Sequence, residues 1–131
     1  MRGSTLDLPV AGQFDTPLGT VTLREAEWGQ MTVVLESFPA GTDTEPLFKG
    51  LPDDHCQCEH WGYVIKGRLR IRYKDREETL NAGDAYYLAP GHLPIFDEDT
   101  ELVEFSPKGD YQATMEVAAR NVTAMLDGNA G

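Results

Sequence analysis

The chain has 131 residues, 40% hydrophobic and 25% charged, enough for one globular domain with a core of moderate size. Its formal net charge of −11 sets it against nucleic-acid backbones and anionic membrane surfaces, which would repel it. The opening residues carry no secretory signal and no apolar run reaches membrane length; a cytoplasmic location is expected.

Thirteen glycines and eight prolines predict frequent turns, hence many short strands rather than long helices. Residues 1–17 are weakly patterned and are expected to form an extended arm. Thr20 to Arg24 alternates polar and apolar residues as a half-buried strand does. Met31 to Phe38 reads as a second strand, closed by Pro39-Ala40-Gly41. A long loop is expected over 42–55, punctuated by Pro46, Gly50 and Pro52.

Cys56 to Ile65 and Arg68 to Tyr73 are the clearest strands, parted by the turn at Lys66-Gly67. Leu69, Ile71 and Tyr73 then face one way, and Arg68, Arg70 and Arg72 the other. Glu77 to Leu80 is expected to pair with the arginine strand, setting opposite charges across from each other. Ala85 to Leu88, Pro94 to Phe96 and Glu101 to Phe105 complete the strands. Asp110 is placed to cap a helix from Tyr111 to about Leu126, with Met115, Ala118, Val122 and Met125 along one face and a stop at Asp127-Gly128. Regularly spaced strands and one terminal helix predict an all-β jelly-roll barrel, which limits exposed sheet edges.

All three histidines and both cysteines lie between positions 55 and 92. Two thiols one residue apart fit metal binding or redox chemistry better than a strained disulfide. On a strand, Cys56, Cys58 and His60 line one face, while His55 points away. The same face continues through Gly62 and Val64, small enough to leave room for a ligand. Two thiolates, one imidazole and a fourth ligand from His92 make a Cys2His2 tetrahedron, which suits zinc best; iron and copper are compatible. Whether His55 or His92 completes the set stays open. Glu59, Asp84 and Glu104 are candidate general bases, with Asp84 also suited to stabilising its turn. The aromatics Trp28, Trp61, Tyr63, Tyr86 and Tyr87 read as barrel core, the arginine stripe as a salt-bridged face, and Asp97-Glu98-Asp99 with Glu101 as solubilising charge.

Two stretches resemble the cupin superfamily. The usual first motif runs Gly, five residues, His-X-His, three or four residues, Glu, six residues, Gly. Here Gly50 is followed by five residues and then Cys56-Gln57-Cys58 in the His-X-His place. Counting back from Gly67 puts His60 in the Glu place and moves the His-X-His place to near His55 and Cys56. The usual second motif begins at Gly83-Asp84, with Ala89 in the Pro place and Gly91 matching; Pro94 stands where the histidine should be, and His92 lies two residues earlier. His60-Trp61-Gly62-Tyr63-Val64-Ile65-Lys66-Gly67-Arg68 and Gly83 to His92 look like small single-domain bacterial cupins of unassigned function. The resemblance covers roughly residues 20–107 and implies a single cupin domain over 1–131: the arm, a barrel over 20–107 and a helix over 110–127. It implies one transition-metal ion held by Cys56, Cys58, His60 and His92, with the protein acting on or binding a small polar molecule. The alternatives are a non-catalytic ligand-binding or sensing cupin with a structural metal or none, or a metal-free cupin with redox-active thiols. The resemblance also implies a homodimer, paired through sheet edges and the N-terminal arm.

Overall fold

The arginine strand shows how alternation becomes a layer. Leu69 and Ile71 are fully buried, while Arg68, Arg70 and Arg72 face outward. In the computed structural model, which describes residues 1–126, the strands are β1 (Val10–Thr16), β2 (Gly19–Trp28), β3 (Met31–Phe38), β4 (His60–Lys66), β5 (Arg68–Arg72), β6 (Glu77–Asn81), β7 (Ala85–Leu88), β8 (Leu93–Phe96) and β9 (Thr100–Pro107). They form a six-stranded antiparallel sheet in the order β1-β2-β3-β9-β4-β7 and a three-stranded sheet in the order β6-β5-β8. One helix, α1 (Lys108–Leu126), follows β9. The expected stop at Asp127-Gly128 lies outside the described residues.

Several expectations shift. The arm is not featureless: Val10–Thr16 pairs with β2 and makes one edge of the large sheet. The strand expected from Cys56 starts only at His60. Cys56 instead makes an isolated bridge to His92, with its N–H donating to His92 O at 3.0 Å and Gly91 N–H donating back to Cys56 O at 2.9 Å. The 42–55 loop contains two 3-10 turns, Glu45–Leu47 and Pro52–Asp54. Its first residues run along β8, where Phe96 N–H donates to Thr42 O at 2.8 Å, tying the loop to the small sheet.

The buried core runs between the sheets through Val21, Phe38, Val64, Leu69, Ile71 and Phe96. Phe38 and Phe96, one from each sheet, stack with ring centroids 4.3 Å apart. Outside, the charged groups pair as expected: Arg70 Nε donates to both carboxylate oxygens of Asp97, at 2.9 and 3.1 Å, and Arg70 and Arg72 lie within 4 Å of Glu77. Asp97 and Glu98 are thus salt-bridged to the arginine face. Gly67 makes the β4–β5 turn with φ +91°, and a Cβ there would sit 2.3 Å from Asp99 O. Among the described residues no helix is long and apolar enough to cross a membrane.

Candidate metal centre and cavity

Cys56, His60 and His92 meet where the start of β4 approaches the segment leading into β8. Their candidate ligand atoms all lie within 4.8 Å of one another, and all three residues are buried. The backbone bridge between Cys56 and His92 sets two of them side by side, and β4 brings His60 in from the large sheet. The two imidazoles meet edge to face, with centroids 5.0 Å apart.

Each ring has its outer nitrogen held. His92 Nδ1 donates to Ala89 O at 2.7 Å, which leaves Nε2 with its lone pair. His60 Nδ1 is 2.6 Å from Ser106 Oγ, and its Nε2 is 3.5 Å from Cys56 Sγ. Burial holds the His92 imidazole down at about 4, with the neighbouring His60 acting in the same direction, so the ring is neutral near pH 7. Burial also pushes the Cys56 thiol far above its usual range. A buried thiol of this kind gives up its proton when a cation arrives to take the charge. One thiol and two oriented neutral imidazoles are a donor set that fits a transition-metal ion and leaves a fourth position to another ligand.

Cys58, expected among the four ligands, is not in this group. The chain bends at Cys58, so the alternation that would put it beside Cys56 and His60 does not hold. Its Sγ lies 3.4 Å from Glu59 O, and the side chain packs with Val34 and Tyr111. Burial pushes its thiol up to about 12. His55 is directed elsewhere, with Nδ1 2.5 Å from Asp53 O.

Next to the three residues is a cavity of about 480 Å³ between the sheets and α1. Its carboxyl groups come from a cross-strand row. Glu25, Val34, Glu104, Gly62 and Tyr86 are register partners in turn across β2, β3, β9, β4 and β7. The space expected at Gly62 for a ligand is taken by the Tyr86 ring, and a Cβ there would meet Tyr86 Oη and Val103 O at 2.5 Å each. Tyr86 donates to Glu104 Oε2 at 2.7 Å, while Glu104 Oε1 lies 3.6 Å from His60 Nδ1. Glu36 stands one strand repeat away on the same face.

Burial and the adjacent Glu104 hold the Glu36 carboxyl well above its usual range. Burial works on Glu104 in the same direction, but His60, together with hydrogen bonds from Glu36 and Tyr86, outweighs it and holds that carboxyl low. Tyr111 of α1 donates to Glu25 Oε2 at 2.8 Å, and Asn121 Nδ2 donates to Leu47 O at 2.7 Å, so the helix lies across the cavity as a cover.

Of the candidate bases, only Glu104 reaches the cavity. Glu59 accepts from Tyr87 on the outer surface, and Asp84 caps its turn by accepting from Asn81 N–H at 2.7 Å. Trp61, Tyr63 and Tyr87 are exposed rather than core. Glu25 and Glu36 were missed, although both share the inward parity of Leu23, Val34 and Phe38 on their strands.

Solved structures similar to this chain include an RmlC-like cupin from Shewanella frigidimarina NCIMB 400 (15% identity, 80% of this chain and 88% of that one, TM-score 0.54). A cupin superfamily protein from Desulfitobacterium hafniense DCB-2 is 12% identical over 72% of this chain and 83% of that one, also with TM-score 0.54. The chain has the cupin fold. KdgF from Halomonas sp. is 22% identical over 73% of this chain and 87% of its own, with TM-score 0.51. At these identities the likeness to these cupins is one of fold. No protein-family profile matches the sequence, and no curated protein matches it. Both countings of the first cupin motif include Cys56, and it is Cys56 that meets the His60 of the Glu place.

Proposed function

We propose that this cupin binds one transition-metal ion through Cys56, His60 and His92 and uses it on a small molecule held in the adjoining cavity. The convergence of the three ligand atoms within 4.8 Å carries the reading. Zinc suits the donor set best, with iron and copper compatible. When bound, such an ion supplies a Lewis acid beside the cavity. The chain's own residues do the rest. Ala89 O and Ser106 Oγ fix the two rings, Tyr86 orients Glu104, and Glu104 stands ready to accept or hold a proton near His60. The two free thiols and acidic surface support a cytoplasmic setting.

Elemental analysis of protein purified without chelator or metal-affinity tag tests the reading. About one equivalent of a transition metal is expected, falling sharply in His60→Ala. Well under half an equivalent of any such metal in the parent protein refutes it. The second reading is a binding or sensing cupin. It is favoured by α1, which Tyr111 and Asn121 pin over the cavity. Turnover is then absent while ligand binding persists.

A further inference from the structure

The cavity wall is one-sided in charge. Glu25, Glu36 and Glu104 line it, and among the described residues no lysine or arginine does. The two histidines that reach it are the candidate metal ligands. Glu25 is engaged by a tyrosine hydroxyl, and Glu104 by Tyr86 and His60. Glu36 faces two other carboxyl groups, Glu104 and Glu25. Most of the remaining wall is apolar, including the aromatic rings of Phe14, Phe48 and Phe96.

The geometry points to a ligand that is a small organic amine, bound as its ammonium with the charged end at Glu36 and Glu25 and a hydrocarbon or aromatic body in the rest of the cavity. This rests on the reading of the cavity as the binding site. Three features carry the inference. The volume of about 480 Å³ is of the size that encloses a small organic molecule. Carboxyl groups set in a low-dielectric wall with no cation among them gain most from a ligand that brings one, and an ammonium also satisfies several acceptors at once. The aromatic walls add attraction for a cation near their faces. A carboxylate or phosphate ligand would meet like charge, so the same wall selects against the anionic substrates that a bare metal ion would attract.

The test compares three probes of nearly equal size and shape: 4-phenylbutylamine, 4-phenylbutanol and 4-phenylbutyrate. Binding is measured by calorimetry and ligand-observed NMR near pH 7.5, on the full chain as purified and after treatment with chelator. In both forms the amine is expected to bind about tenfold or more tightly than the alcohol, as a charge-assisted hydrogen bond implies, and the carboxylate most weakly. Glu36→Gln, which keeps size and hydrogen bonding, is expected to remove most of the amine's advantage and leave the alcohol unchanged. Glu25→Gln gives a second, independent loss should the first variant fold poorly. Carboxylate binding equal to or tighter than the amine, no binding of any probe at millimolar concentration, or an amine advantage untouched by both variants overturns the inference. Metal content, measured on the same samples, reports on the metal reading separately, since the chelator-treated comparison does not depend on it.

Discussion

Gly62→Ala isolates the cross-strand row that shapes the cavity. A Cβ at this position would stand 2.5 Å from Tyr86 Cζ and Oη and 2.5 Å from Val103 O. The tyrosine has some freedom to move, but only by giving up its 2.7 Å hydrogen bond to the buried Glu104. The carbonyl of Val103 belongs to the β9 backbone, which is paired on both sides and has nowhere to go. Replacing a strand glycine by alanine in open space would stabilise the chain by roughly 0.5–1 kcal/mol. Overpacking of a filled site costs about 1–3 kcal/mol, and a clash with backbone belongs at the upper end of that range. The net expectation is a loss of about 2 kcal/mol. With an unfolding entropy of about 2 cal/mol/K per residue, this lowers Tm by roughly 7 °C. Differential scanning calorimetry of the variant beside the parent gives the answer directly. A Tm equal to or above the parent's would mean that Tyr86 and β9 are not packed against Gly62 as described, and the placement of Glu104 would fall with them.

Three further outcomes are expected. Cys56→Ser should lower bound metal to a small fraction of an equivalent, whereas Cys58→Ser should leave it nearly intact; equal losses by elemental analysis would return Cys58 to the ligand set. In chelator-treated protein, His92 takes up a proton at 6.5 when unfolded but only at about 4 when folded. The unfolded state therefore binds the proton first, and stability is full above pH 6.5 and falls by about 3 kcal/mol as pH drops to 4. Glu104, held low in the fold, adds in the same direction, while Glu36, held high, works in the opposite one; in Glu36→Gln, which removes that opposing group, urea midpoints that stay level from pH 7 to 4.5 would contradict a buried neutral His92. A homodimer is expected through the exposed edge of β1, and light scattering at micromolar concentration giving a mass near 14.5 kDa would rule it out.

The sequence by itself determined the elements whose pattern is local. Alternation over Arg68–Tyr73 and the run Met31–Phe38 specified strands, because period-two burial depends only on neighbouring residues. The confinement of every histidine and cysteine to 55–92 pointed to the region of the site, and the motif-like stretches around His60 and Gly83 pointed to the fold. Tertiary structure decided what those residues do. Cys56 and Cys58 are equivalent on paper, yet a bend and a bridge to His92 turn one toward the histidines and leave the other in the packing under α1. Gly62 read as empty space, but the register that sets it opposite Tyr86 fills it. Glu36 read as an ordinary strand residue; only the pairing of β3 with β9 and the closing helix place it beside Glu104 in a cavity that, among the described residues, no lysine or arginine lines. Each of these outcomes depends on strand order and register between segments far apart in the chain, which local pattern does not encode.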